Sequence, residues 1–272
     1  MERTIGHRRH QRSVTLTDEH YVVDVANLPW RPGVTEGVVF RGQILLSGDD
    51  GGPEAFRFRF EPCRAVHAHM HLVSQFQLLI GGEMELPGGS PILTPTGVFY
   101  TDHARPYGPF AVRGDHDVLV LHPRKGGLVQ MSDRSARRKI HLEGRQRAGV
   151  ESQTESTRLP HLANANGKVL FDVPAGPKAV VATLEPGAEY RPPAAPFGRY
   201  EVVLGGSMHF GALEVGRPGL RYTRSAEPPS SSRAGDAGAS LALLTFDEDA
   251  LLGGVSDDEF SLAAGEAMAR AI

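Results

Sequence analysis

The segment Cys63-Arg64-Ala65-Val66-His67-Ala68-His69-Met70-His71-Leu72-Val73-Ser74-Gln75 is the densest group of potential ligands in the chain. Side chains alternate across a strand, so His67, His69 and His71 would share one face, and Gln75 rejoins it if the strand stays regular. Same-face neighbours stand about 6.6 Å apart. Two imidazoles that converge on one point can hold a metal ion at about 2.0–2.1 Å each. A third ligand must then come from a turn or an adjacent strand. Imidazole suits Fe, Zn, Ni and Cu, whereas an amide oxygen is a weak neutral ligand. The bland reading is three satisfied or solvent-facing histidines, in a chain that carries 12.

Other chemistries lack their residues. Cys63 has no Cys/His dyad context. The Gly-Gly pairs lie in turn contexts without a following Gly-Lys-Ser/Thr, so no phosphate loop is supported. There is no Gly-x-Ser-x-Gly elbow.

The elements that must position the histidines read as short strands. Tyr21–Val25, Gly37–Phe40 and Gln43–Leu46 are β-type runs, and Phe56-Arg57-Phe58-Arg59-Phe60 alternates strictly, as a half-buried strand does. Further runs follow at Gln77–Ile80, Val98–Thr101, Val118–Leu121, Lys168–Phe171 and Ala179–Leu184. The 32 Gly and 20 Pro are spread along the chain, which favours many short strands over long helices. Only Asp257–Ile272 reads as a helix, with Phe260, Ala263, Ala264, Ala267 and Ala271 near helical spacing. Residues 123–148 carry eight Lys and Arg with little apolar periodicity. No aromatic residues interleave, so this stretch reads as a solvated linker rather than a nucleic-acid patch.

The chain repeats itself. Gln75–Met84 aligns with Arg199–Met208, Val98–Thr101 with Leu220–Thr223, and Gly114-Asp115 with Gly235-Asp236, in the same order with small drift. So long a period excludes a solenoid and indicates two similar β domains. The expected division is a polar arm over 1–20, a first β domain over 21–125, a basic linker over 126–160, a second β domain over 161–248 and a terminal helical segment over 249–272.

Composition removes whole classes of function. With 29 basic and 32 acidic residues the formal net charge is −3, so no global field points at nucleic acid or a membrane surface. No apolar run approaches the about 18 residues of a membrane span. The basic N-terminus has no apolar stretch behind it, unlike a secretory signal. The single cysteine excludes an intramolecular disulfide framework and fits a reducing compartment. A cytoplasmic protein with no nucleic-acid or membrane partner is the expectation.

His69-x-His71-xxx-Gln75-xxxxxx-Gly82 resembles the first motif of the cupin superfamily, His-x-His, three or four residues, Glu, six residues, Gly. Thr96–Phe110 resembles the second, in which a Gly-led strand ends in a Pro/Gly turn and then a ligand histidine. With the repeat, the chain looks like a bicupin over most of residues 20–248. The resemblance implies an all-β fold of tandem cupin-type double-stranded β-helix (jelly-roll) barrels. Cupin-like barrels often pair through strands or terminal arms, which implies a homodimer.

The chain departs from the pattern at Gln75, where the family has its glutamate, and at Cys63, where it has a glycine. The last ligand histidine corresponds to Tyr107, in Pro106-Tyr107-Gly108-Pro109, or in another alignment to His103. The resemblance thus implies a divalent transition metal held by His69, His71 and Gln75, with His67 as an extra candidate, and Fe(II), Ni, Mn or Zn as the ion. Tyr107 or His103 would complete the site or act as acid/base. In the second half His69 aligns with Pro193, His71 with Ala195, Gln75 with Arg199 and Tyr107 with Pro229, so a metal-free barrel is expected there. Arg199 and Arg191 would face water or form an anion site.

A neutral ligand set leaves the ion its charge of about +2 and favours a bound anion. The leading expectation is therefore a metal-dependent dioxygenase acting on a small enolic, phenolic or carboxylic anion. Isomerase, lyase and decarboxylase chemistry also occur in the superfamily, and fold alone does not choose among them. The alternative is a non-catalytic cupin that binds or senses a metabolite, for which loss of the glutamate is the sign.

Overall fold

The computed structural model describes residues 14–16, 20–35, 38–49, 51–61, 65–86, 92–131, 144–159, 165–224 and 231–252. Cys63, residues 132–143 of the basic stretch and the expected helical run 257–272 lie outside them. The described part is built almost wholly of antiparallel strands: β1 (Val14–Leu16), β2 (His20–Asp24), β3 (Arg31–Thr35), β4 (Val38–Ser47), β5 (Glu54–Phe60), β6 (Ala65–Val66), β7 (His69–His71), β8 (Gln75–Glu85), β9 (Val98–Thr101), β10 (Phe110–His122), β11 (Leu128–Gln130), β12 (Gln146–Gly149), β13 (Thr157–Arg158), β14 (Asn166–Asp172), β15 (Lys178–Leu184), β16 (Glu189–Tyr190), β17 (Arg199–Phe210), β18 (Leu213–Gly216), β19 (Gly219–Thr223) and β20 (Ser232–Thr245). A single α-helical turn, Asp249–Leu252, follows. No helix among the described residues is long and apolar enough to cross a membrane.

The chain forms two compact units. One spans Pro29–Gln153 and takes in the chain from Glu248, and the other joins the segment ending at Leu28 to Thr154–Asp247. In the first, the sheet runs β12-β9-β8-β10-β5-β4-β3, with β6 beside β10 and a separate β7-β11 pair. In the second it runs β1-β2-β19-β17-β20-β15-β14-β13, with β16 beside β20 and β18 beside β17. The order β9-β8-β10-β5-β4 thus has its counterpart in β19-β17-β20-β15-β14.

Two expected boundaries shift. Residues 21–28 were expected to open the first barrel, but β2 pairs with β19 of the second unit, Tyr21 facing Tyr222 and Val23 facing Leu220. Burial of Tyr21, Val22, Val23 and Val25 drives that assignment. The segment 126–160 is likewise more than a linker. Its β11 pairs with β7 and its β12 with β9, which extends the first unit at two places. Arg145, one of its basic residues, is tied to Asp102 rather than given to solvent, with Nε 2.9 Å and the backbone N–H 2.6 Å from Oδ2.

The inner face of the first unit follows from the alternation. Phe56 and Phe58 of β5 face Val120 and Val118 of β10, and Leu79, Phe99, Val118, Tyr107 and Phe110 fill one core cluster. The arginines of β5 take the other face. Arg57 donates twice to Asp117 at 2.7–2.8 Å, Arg59 donates to it at 2.8 Å, and Trp30 lies 5.0 and 4.5 Å from their guanidinium carbons. This cover makes Arg57 a buried residue.

Candidate metal centre

The three-residue strand β7 sets His69 and His71 on one face, and Met70 on the other, where it packs with Leu72 and Val129. The strand is held in place by β11 and by reciprocal backbone hydrogen bonds between His69 and Tyr107, at 3.1 and 3.0 Å. Regular alternation ends on both sides. β6 stops at Val66, which leaves His67 exposed, and the chain bends through Leu72–Ser74 before β8 starts at Gln75. The expectation that His67 shares the face therefore fails. Its backbone carbonyl takes part instead, accepting from His69 Nδ1 at 2.7 Å.

Four rings meet inside the barrel. His71 lies 5.4 Å from His69 and 4.9 Å from His122, and Tyr107 lies 4.4 Å from His69. Tyr107 Oη is 2.6 Å from His69 Nε2 and accepts from Gln77 Nε2 at 2.8 Å. Gln75, fully buried, faces His122, with Oε1 3.3 Å from Nε2. On its other side His122 Nδ1 is 3.0 Å from the Glu54 carboxylate, which also accepts from Gly126 N–H at 3.2 Å. His103 is half-buried and enters through its backbone N–H, which donates to Ser74 Oγ at 3.1 Å.

These partners fix proton positions. A carbonyl at His69 Nδ1 requires N–H there, so in the neutral ring Nε2 carries the lone pair and accepts from Tyr107. The Glu54 carboxylate, which can only accept, likewise requires N–H at His122 Nδ1. Burial, with His122 and His69 alongside, pushes the His71 pKa well below its ordinary value, which keeps that ring neutral at pH 7. Burial also drives the Tyr107 phenol well above its usual range, against the opposing pull of the Gln75 and Gln77 amides. Tyr107 is accordingly a proton-bearing phenol and not a tyrosinate.

The donor set fits a divalent transition ion at one telling point. His122 Nε2 and Gln75 Oε1 face each other at 3.3 Å, while Gln75 Nε2 is buried and has no hydrogen bond among the described residues. A divalent ion would be held there by the Gln75 carbonyl oxygen and by His122 Nε2 once that nitrogen carries no proton. Among the described residues no three His, Cys, Asp or Glu side chains are already gathered as a metal cage. The inner nitrogens are turned instead toward Tyr107 and Gln75.

The fold places this cluster in known company. No protein-family model matches the sequence, and no curated protein matches it either. Solved structures do match. A candidate dioxygenase from Nostoc punctiforme aligns with TM-score 0.64 at 15% identity, over 89% of this chain and 86% of its own. A deletion mutant of oxalate decarboxylase from Bacillus subtilis aligns with TM-score 0.59 at 12% identity, over 86% and 78%. The coconut allergen cocosin aligns with TM-score 0.51 at 11% identity, over 85% and 86%. The chain has a bicupin fold. At these identities the likeness is one of fold alone, and neighbours described as enzymes and as an allergen share it.

Within the first bicupin barrel, the tertiary structure brings His69, His71, Gln75 and Tyr107 together and adds His122, Glu54 and Gln77, which the motif reading missed. His122 ends the apolar run Val118–Leu121, outside either motif segment. Its only sequence signal is a histidine closing a buried strand. Register supplies the rest, since β10 sets His122 opposite Glu54 of β5.

Proposed function

We propose that the first barrel is the active centre of a metal-dependent oxygenase that acts on a small organic anion. The observation that carries the reading is the pair of anchored imidazoles. His69 and His122 each have Nδ1–H held by an outer acceptor, and both turn Nε2 inward beside the neutral His71. Fixing the outer N–H is how proteins orient histidine ligands. His69, His71 and His122 would hold the ion, Fe(II) first and Ni, Mn or Zn as other candidates, with the Gln75 carbonyl as a neutral fourth donor.

Bound there, the ion would supply Lewis-acid and redox chemistry and attract an anion, because no ligand neutralises its charge. The chain's own residues would do the rest. Tyr107 holds a proton at Oη between His69 and Gln77, placed to hydrogen-bond an anionic substrate oxygen. Phe99, Phe110 and Leu79 keep the site dry, which strengthens each polar contact inside it. His67 and His103 remain outer candidates, the first through its carbonyl and the second beside Ser74.

The test is the metal content of protein purified without an affinity tag, compared with His69→Ala/His71→Ala and with His122→Ala. Near one equivalent in the parent, lost in both variants, is the expected result, followed by oxygen uptake with enolic or phenolic acids. Full loading in His122→Ala would remove that residue from the ligand set. A parent that stays metal-free after reconstitution would sink the oxygenase reading in favour of a barrel that binds or senses a metabolite.

A further inference from the structure

The second barrel lacks the histidines but keeps charge in the matching place. Across β17 and β19, Arg199 faces Thr223 and Glu201 faces Arg221, the register in which Gln75 faces Thr101 and Gln77 faces Phe99 in the first barrel. All four residues are at most 2% exposed, so the expectation that Arg199 faces water is wrong. Among the described residues one carboxylate, Glu201, serves both guanidinium groups, with Arg221 Nη2 2.6 Å from Oε2 and Arg199 Nη2 3.4 Å from Oε1. Arg199 also donates to the Pro193 carbonyl at 2.6 Å. Two cations against one carboxylate leave one positive charge in surplus.

Donors around that charge are unpartnered. Arg221 Nε, Tyr190 Oη, Thr223 Oγ1 and Ser232 Oγ are all buried without a hydrogen bond among the described residues. They belong to one region, because Tyr190 pairs with Ser232 across β16 and β20, Ser232 pairs with Phe210, and Arg221 lies 4.5 Å from the Phe210 ring. A buried polar group without a partner is costly, and a surplus charge more so. Burial and the Glu201 charge hold the Tyr190 hydroxyl in its protonated, donating form.

We infer that the second barrel binds a small carboxylate monoanion at Arg221, with Arg199, Tyr190, Thr223 and Ser232 completing its donors. One negative charge balances the surplus, and a planar carboxylate matches a guanidinium edge. A phosphate dianion would over-neutralise the site. Nothing here depends on a metal in the first barrel.

Isothermal titration of sodium acetate into the chelator-treated 272-residue chain, against chloride at equal ionic strength, tests it. Saturable binding at one site per chain is expected. Tyr190→Phe and Thr223→Val keep the shape of the side chains and should each weaken it about tenfold; Arg221→Gln should abolish it, and His69→Ala should leave it unchanged. The inference is overturned if acetate does no more than chloride, if Tyr190→Phe binds as tightly as the parent, if His69→Ala loses binding, or if inorganic phosphate binds better. A high-resolution structure in acetate with only water at Arg221 Nε would also overturn it.

Discussion

His69 and His122 owe their orientation to acceptors on their outer sides, and Glu54 is the one that a single substitution can remove cleanly. Glu54→Gln keeps the volume but weakens the hold on His122 Nδ1–H, so metal affinity should fall 10–100-fold, as for other partners of ligand histidines. Competition with a chelator measures it, and unchanged affinity would mean that Glu54 does not orient a ligand. His116 makes a different point. It is 1% exposed, both ring nitrogens lack a hydrogen bond among the described residues, and burial, opposed in part by Asp117, lowers its pKa from 6.5 to about 4. The unfolded ring takes its proton near pH 6.5, whereas the folded ring stays neutral to about 4. Its neutral form therefore contributes fully above pH 6.5, and up to about 3 kcal/mol is lost as pH falls through that window. His116→Leu should flatten the fall in stability between pH 6.5 and 4 in denaturant titrations. An unaltered slope would assign the acid sensitivity elsewhere.

At the scale of elements, the long strands β8 and β17 carry each barrel, and each contains a glycine pair where the ladder to its partner shifts register. Gly82 and Gly206 have φ of +69° and +65°, and a Cβ at Gly206 would stand 1.9 Å from the Gly238 carbonyl oxygen. The positive φ and the backbone contact together demand glycine. Gly206→Ala should cost about 3 kcal/mol in chemical denaturation, from the left-handed backbone and the overpacking combined. A cost under about 1 kcal/mol, the range of an ordinary surface change, would mean that the ladder relaxes freely there. The alignment of the two Gly-Gly pairs was visible in the sequence, but the carbonyl each must accommodate belongs to a strand about thirty residues away and emerges only with the pairing.

At the scale of the whole molecule, the second unit is completed by the chain's beginning. β2 covers the β19 edge, and Val23 is fully buried opposite Leu220. Val23→Asp puts an unpaired charge in that seam, a change expected to cost several kcal/mol. Hydrogen exchange should then show lost protection at the Gly219–Thr223 amides. Amides as protected as in the parent would show that β2 is dispensable to the sheet.

By itself the sequence determined the fold class, because alternation, scattered turn residues and the repeated blocks are local signals that only a pair of β domains satisfies together. It also named six candidates, His67, His69, His71, Gln75, His103 and Tyr107, of which the fold gathers His69, His71, Gln75 and Tyr107 in one cluster. What the tertiary structure decided is everything that rests on register between distant strands. His122 meets Glu54 only because β10 lies against β5, and Tyr21 leaves the domain that follows it because β2 finds its edge on β19. Arg199 and Arg221 are buried together around Glu201 for the same reason. A one-residue slip would turn each of these side chains to the opposite face, and pairing between strands far apart in the chain, not local residue type, holds them in register.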